Sequence, residues 1–260
     1  MNIIVCIKQV PDTTDIKIDP ANNTLIREGV ESIINPFDLY AIEEAVRLKE
    51  KYGGKITAIS MGPPQVETSL REAVALGVDE IILLTDRKFA GADTWATSLT
   101  LSEAVKKIDN FDIILFGQQA IDGDTAQVGP GVAAHLDISQ TCFVKRIETI
   151  ENNRIVVERL MEDGYDRIDL PLPAAITVVK EINIPRLPSL RGKRTAKNIE
   201  LKVWTADDLE LKEDNIGLNG SPTQVIKIFS PEHKKGGKKY ELPSEELVEI
   251  LYNKLKELGK

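Results

Sequence analysis

The sequence predicts an α/β protein with a doubly wound, mostly parallel sheet. Short apolar runs alternate with amphipathic helical patterns from the start of the chain to about residue 136. Such runs lack the polar alternation of half-exposed strands, which is typical of parallel strands buried on both faces. Glycine, proline and polar residues follow the runs, where the loops at the carboxyl edge of a sheet are expected. We therefore expect a Rossmann-like architecture.

The first element is a strand from Asn2 to Val10, followed by an inserted hairpin between Ile16 and Ile26. Asn35, Pro36, Phe37 and Asp38 then precede a helix that extends to about Leu48. Asn35 or Asp38 can cap this helix, and Pro36 suits its first turn.

Three further strand–helix units are expected. The strands are 55–61, 80–85 and 111–116, and the helices are 65–76, 93–108 and 132–136. Gly77 marks the end of the first of these helices, and Asp93 or Thr94 the start of the second. The pattern changes after Gln140 to a hairpin, 143–147 and 154–159, and a buried strand at 174–179. These elements predict a partly antiparallel extension of the sheet.

The turn after the fourth strand carries the most informative motif, which runs from Gly117 to Pro130. Typical strand-to-helix turns are two to six residues long, so this one has excess length at the edge that binds ligands. Its glycines (Gly117, Gly123, Gly129) predict close backbone approach and positive φ. The turn also supplies hydrogen-bond donors, namely the threonine hydroxyl and the glutamine side chains, and the backbone amides of the next helix add more. These donors predict a phosphate-bearing ligand. A solvated glycine loop is the alternative.

The two carboxylates of this turn need a separate explanation, because they would repel a phosphate. We expect Asp124 to cap the following helix. Asp122 either reaches a ribose hydroxyl or braces the turn.

Composition narrows the class of partner. A net charge of −8 and a pI near 5.1 argue against nucleic acid and anionic membranes as binding partners.

Cys6 and Cys142 lie far apart, without a CxxC motif, which predicts a reduced, cytoplasmic protein and no cysteine-based metal site. No signal peptide or membrane-spanning run is expected, and no GxGxxG or Walker A fingerprint occurs. A redox role would have to borrow a cofactor.

The chain resembles the β subunit of electron-transfer flavoprotein along nearly its whole length. The resemblance rests on the segment 117–124, on 35–38, and on 185–197, which is similar to the family's recognition loop. It implies a Rossmann-like domain of the adenine-nucleotide-binding type over residues 1–200, with the recognition loop at 184–197. It also implies a linker and C-terminal arm over 201–260, whose terminal helix packs on the α subunit.

The resemblance implies two sets of site residues, with no catalytic side chain and no metal. The cofactor-binding set is Cys6, Asn35, Pro36, Phe37, Asp38, Met61, Gly62, Gly117, Gln118, Gln119, Ala120, Ile121, Asp122, Gly123, Asp124, Thr125, Ala126, Gln127, Val128 and Gly129. The partner-binding set is Pro185, Arg186, Leu187, Leu190, Arg191 and Lys193. Core packing is the alternative for Cys6 and Met61, and a solvated basic loop for the second set.

Residues 122–130 resemble those of the electron-bifurcating members of the family, which bind FAD here; other members bind AMP. The bifurcating type implies that FAD takes a hydride from NADH and divides the electrons. One goes to ferredoxin or flavodoxin, and the other reaches a dehydrogenase, commonly of the acyl-CoA type, through the FAD of the α subunit.

Three other interpretations compete with this one. The first is an AMP-binding, passive electron carrier, and the second is a nucleotide-binding sensor of the universal-stress type. The third is an ATP-using synthetase, which would need basic residues beside the turn, and none stand near it in the sequence.

Overall fold

The computed structural model describes residues 1–12, 32–226 and 236–259. The predicted hairpin at 16–26 lies outside these ranges, as do residues 227–235 and 260. The chain divides into two compact units, Met1–Ile226 and Lys227–Lys260.

The first unit is built on a nine-stranded sheet, which confirms the predicted α/β class. Its strands are β1 (Asn2–Cys6), β4 (Lys55–Met61), β5 (Glu80–Leu84), β6 (Ile113–Gly117), β7 (Ser139–Glu151), β8 (Arg154–Met161), β9 (Gly164–Pro171), β10 (Ala174–Val178) and β11 (Leu201–Trp204). They are ordered β11-β5-β4-β1-β6-β10-β7-β8-β9. Pairing is parallel from β11 to β7 and antiparallel from β7 to β9. Two short strands, β2 (Gln9–Pro11) and β3 (Ser32–Ile34), pair separately.

Helices cover both faces of the sheet, as the sequence pattern predicts. The helices of the first unit are α1 (Pro36–Tyr52), α2 (Glu67–Leu76), α3 (Thr94–Ile108), α4 (Val128–Leu136) and α5 (Leu190–Asn198). One apolar core lies under α1, α2 and α5, and a second under α3 and α4. Alternate strand residues enter opposite cores, for example Val5 and Cys6 of β1, because successive side chains of a strand point to opposite faces.

Local signals place several boundaries correctly. Gly77 follows α2 in a left-handed conformation that favours glycine, with a φ of 129°. The Asp93 carboxylate accepts hydrogen bonds from the amides of Trp95 and Ala96 and so caps α3. Asn152 and Asn153 form the tip of the β7–β8 hairpin with φ values of 52° and 60°. Asparagine tolerates this conformation better than most residues, which is why the hairpin is predictable.

The compact unit extends beyond the boundary that we expect at residue 200. β11 adds an edge strand beside β5, and Ala206, Leu209 and Ile216 are buried in the second core. The segment is polar overall, so these few anchoring side chains do not produce a recognisable pattern. β9 is also absent from the sequence-based prediction, because it is a largely exposed edge strand with only a weak apolar alternation.

Within residues 236–259, the part of the second unit that the structure describes, the helix is α6 (Ser244–Glu257). Val248, Leu251, Tyr252 and Leu255 form an exposed apolar stripe along it. Among the described residues, none of the helices combines the length and apolarity needed to cross a membrane.

Candidate functional site

The predicted phosphate turn lies at the carboxyl edge of the parallel sheet, between β6 and α4. β6 pairs with β1 on one side and with β10 on the other, so the turn lies near the ends of both. Ile121, Asp122, Gly123, Asp124, Thr125 and Gln127 are exposed, and Gln118, Gln119, Ala120, Ala126 and Val128 are partly exposed. The turn therefore presents an extended surface at the edge where α/β sheets bind ligands.

Helix α4 begins earlier than predicted, at Val128 rather than at Val132. Gly129, Pro130 and Gly131 look like loop residues in the sequence, yet all three lie in the first turn. Proline is compatible with this position because the first amides of a helix have no partner within it. The free amides of Val128 and Gly129 thus begin directly after the turn, which suits an anionic ligand.

The prediction that Asp124 caps α4 is wrong. The cap position is occupied by Gln127, whose side chain makes no capping bond. Asp124 lies in a left-handed conformation with a φ of 51°, and its carboxylate accepts a hydrogen bond from the Gln119 side chain. Because the helix begins only at Val128, a capping bond from Asp124 does not form.

The prediction of positive φ at the three glycines of the turn is also wrong. Asp124 and Ala126 have positive φ values instead, of 51° and 54°. A Cβ on Gly117 would lie 2.6 Å from the carbonyl carbon of Phe37 and 2.8 Å from the Asp38 amide. One on Gly129 would lie 2.7 Å from the Thr177 methyl group. Gly117 and Gly129 therefore allow close packing of α1 and α4 on the sheet, whereas Gly123 faces open space.

Asn35 holds the turn in place from below. Its side-chain amide donates to the Gln119 carbonyl (2.8 Å), and its side-chain oxygen accepts from the Ile121 amide (3.2 Å). Asn35 is only 1% exposed, so these bonds are formed inside the protein. Asn35 is at the cap position of α1 without making a capping bond, and Pro36 follows in the first turn as predicted.

Asp38 is buried beside this contact and connects α1 to the end of β1. Its carboxylate accepts hydrogen bonds from the Lys8 amide (2.7 Å) and from the Asn35 side chain (3.0 Å). Burial raises the pKa of Asp38 to about 7, although its hydrogen bonds oppose the shift. Asp38 thus acts as a support, while Phe37 beside it is partly exposed.

The remaining predicted contacts lie on neighbouring strands. Cys6 is buried in the second core, and burial, reinforced by the charge of Asp38, raises the pKa of its thiol. Met61 and Gly62 are partly exposed at the end of β4, and the Gly62 amide donates to the Leu84 carbonyl. The fold therefore brings Met61 and Gly62 to the same edge as the turn.

Lys8 is the residue of this site that the sequence analysis missed. Its ammonium lies 2.6 Å from the Asp122 carboxylate. No basic residue stands near the turn in the sequence, but the fold brings Lys8 beside it. Lys8 lies two residues after the end of β1, which neighbours β6 in the sheet, and this topology is the signal that could have found it.

The predicted partner-binding segment, residues 184–197, is half extended and half helical, and we call it the docking segment. It ends in α5, whose start is capped by the Ser189 hydroxyl accepting from the Gly192 amide. Its apolar side chains are strongly exposed: Ile184, Leu187 and Leu190 are 83%, 88% and 89% exposed. Arg191 and Lys193 are also exposed, whereas Pro185 is partly exposed.

Arg186 of this segment is bound to α1. Its guanidinium forms ion pairs with Glu50 (2.7 Å) and Glu43 (2.8 Å), which raise its pKa. Asn183 donates to the Tyr40 carbonyl and to the Glu44 carboxylate, both at 3.0 Å. These bonds fix the base of the segment and leave its leucines in solvent.

A separate cleft of about 360 Å³ lies near the opposite, amino edge of the sheet. Lys55 and Lys202 line it and both pair with Glu80, while the Lys107 ammonium lies over the Trp204 ring. Its charged groups thus have partners within the protein, and it is distinct from the turn. Within the described ranges, no group of three or more His, Cys, Asp or Glu residues is placed to hold a metal ion.

Comparison with known proteins gives consistent results. The family model described as "Electron transfer flavoprotein domain" matches residues 22–209. The electron transfer flavoprotein subunit beta of Thermoanaerobacterium thermosaccharolyticum is 53% identical, over 98% of both chains. That of Clostridium acetobutylicum is 49% identical, over 99% of this chain and 98% of its own.

A third relative is the caffeyl-CoA reductase-Etf complex subunit CarD of Acetobacterium woodii, which is 49% identical over 91% of this chain and 90% of its own. Both the family model and these full-length similarities cover the turn and the docking segment. This chain therefore belongs to the electron transfer flavoprotein family, as a β subunit.

Proposed function

We propose that this β subunit binds FAD at the turn between β6 and α4 and belongs to an electron-bifurcating complex. The observation that carries the proposal is the open turn itself. It combines exposed Thr125 and Gln127, the free first amides of α4, and the space beside Gly123. These groups suit the pyrophosphate of a dinucleotide as well as the phosphate of AMP.

In this proposal the protein supplies binding and orientation, and the cofactor supplies the chemistry. The chemistry that a bound FAD would supply is hydride acceptance from NADH and single-electron transfer to ferredoxin or flavodoxin and to the FAD of the α subunit. Thr125 and the amides of Val128 and Gly129 bind the phosphates. Asn35 and Asp38 hold the turn at a fixed distance from the sheet through the hydrogen bonds described above.

The similarity to CarD supports the bifurcating type, because that relative is named as a subunit of a reductase–Etf complex. For this chain we infer an acyl-CoA dehydrogenase type of partner. The exposed leucines of the docking segment, Leu187 and Leu190, provide an apolar contact for it. Membership of the family favours this function over a universal-stress sensor.

The apolar stripe of α6 supports a second partner, the α subunit. Val248, Leu251, Tyr252, Leu255 and Leu258 are between 42% and 73% exposed. A helix with such a stripe is stabilised when the stripe is buried against another surface. We infer that α6 binds the α subunit in a heterodimer.

The test is to measure the nucleotide content of the chain copurified with its α subunit. Acid-released FAD and AMP are quantified by chromatography. We expect two FAD and no AMP per heterodimer, with bleaching of both flavins by NADH. One FAD with one AMP would instead identify a passive electron carrier and refute bifurcation by this subunit.

A variant locates the site within the chain. Thr125→Val removes one hydroxyl donor from an exposed position and should weaken nucleotide binding by about fivefold, since one hydrogen bond contributes about 1 kcal/mol. Thr149→Val makes the same change at an exposed position of β7 and should have no effect. Equal retention of nucleotide in the two variants would show that the turn is not the site.

A further inference from the structure

The turn contains two carboxylates, although the proposed ligand is an anion. A phosphate placed at the free amides of α4 would be repelled by any ionised carboxylate nearby that has no partner. Asp124 is bonded by the Gln119 side chain, which satisfies one of its oxygens. Asp122 has a different partner, the Lys8 ammonium, at 2.6 Å.

Lys8 is held in position by its own backbone. Its amide donates to the buried Asp38 carboxylate (2.7 Å), and its carbonyl accepts from the Asn35 amide (2.8 Å). Asp38 and Asn35 are also the residues that support the turn. The Lys8 side chain therefore starts from a fixed point, and 48% of it is exposed, so that its charge reaches the surface of the turn.

We propose that Lys8 neutralises Asp122 and thereby makes the turn able to bind a phosphate-bearing ligand. This inference rests on the proposed nucleotide function of the turn. It assigns a role to a residue outside the motif, supplied by a different strand. It also explains how a turn with two aspartates can accept an anion, since the ion pair leaves the Asp122–Lys8 unit without net charge.

The experiment compares binding of ADP and of adenosine to the heterodimer after removal of its bound nucleotide. Titration calorimetry gives both dissociation constants. Lys8→Gln leaves Asp122 unpaired, so ADP should bind about tenfold more weakly, while adenosine, which lacks phosphates, should change less than about twofold. Lys8→Arg keeps the charge and should bind ADP nearly as the wild type does.

The double variant Lys8→Gln/Asp122→Asn decides the mechanism. If Lys8 acts by neutralising Asp122, removing the carboxylate should restore ADP binding to within about twofold of wild type. Lys49→Gln is the matched control, because Lys49 also pairs with an aspartate, Asp79, at 2.5 Å, on a different part of the surface. It should leave both dissociation constants unchanged.

Several results would overturn the inference. Unchanged ADP binding by Lys8→Gln would do so, and so would an equal loss for ADP and adenosine, which would indicate a general disturbance of the fold. Failure of the double variant to recover would show that Lys8 contacts the phosphate directly rather than screening Asp122. Absence of ADP binding by the wild-type heterodimer would overturn the proposed nucleotide function as well.

Discussion

Replacing Gly117 by alanine should disturb both the fold and the site. The new Cβ would lie 2.6 Å from the Phe37 carbonyl carbon and 2.8 Å from the Asp38 nitrogen, and still closer to the Asp38 carboxylate. Two of these atoms are backbone atoms of the first turn of α1, so they cannot move aside as a flexible side chain does. The start of α1 must therefore shift away from β6.

The expected loss of stability follows from two contributions. Overpacking a core position costs about 1–3 kcal/mol, and disturbing one of the hydrogen bonds to Asp38 costs about 1 kcal/mol more. Together, the two contributions should lower the free energy of unfolding by about 3 kcal/mol. With an m value of about 3 kcal/mol/M, the midpoint of unfolding in urea would fall by about 1 M.

Gly123→Ala is the matched control within the same turn. No atom lies within 4 Å of the position that a Cβ would occupy there, and the φ of Gly123 is outside the left-handed region. We expect its midpoint to equal that of the wild type or to exceed it slightly, since alanine reduces the entropy of the unfolded chain. Urea titrations of both variants, followed by circular dichroism, are the assay. A Gly117→Ala midpoint within about 0.2 M of wild type would refute the packing argument.

Two other predictions concern Asp38 and the docking segment. The pKa of Asp38 is about 7 in the fold against a usual 3.8, so the native state binds the proton more tightly and stability should decrease as the pH rises from about 4 to 7, by at most about 4 kcal/mol. Asp38→Asn should remove this contribution, and pH profiles of unfolding that run parallel in variant and wild type would contradict the assignment. Leu190→Ala should change stability by less than about 0.5 kcal/mol, because the side chain is 89% exposed, yet slow electron delivery to the dehydrogenase about tenfold. Val225→Ala, at another exposed apolar position, should change neither, and equal rates in the two variants would argue against docking at Leu190.

The parts of the fold that can be predicted from the sequence are those with a local cause. Buried apolar runs identify the parallel strands, and side chains with a capping or turn preference, such as Asp93 and Asn152, mark boundaries. Elements without such a cause escape prediction. β9 is an exposed edge strand, and residues 205–226 join the core through a few side chains only, so neither has a strong periodic pattern.

The candidate site, too, has parts that can be predicted from the sequence and parts that cannot. The turn and its position at the sheet edge could be predicted, because both follow from strand order and glycine content. Its internal geometry could not, since the bonds of Asn35 and the charge of Lys8 come from segments that are distant in sequence. Asp124 illustrates the limit: its capping role depended on where α4 begins, which the Gly-Pro-Gly run at 129–131 obscured.

Helix α1 is bonded both to the turn and to the docking segment. Asn35 at its start holds the turn, and Glu43, two turns further along, holds Arg186 of the docking segment. At about 1.5 Å per residue, the two attachment points lie about 12 Å apart along the helix axis. Because a helix resists stretching, we expect this spacing to stay the same when a partner binds the docking segment. If the turn holds a cofactor and the docking segment a partner, as proposed above, α1 would keep the distance between the two constant, on which the rate of electron transfer depends steeply.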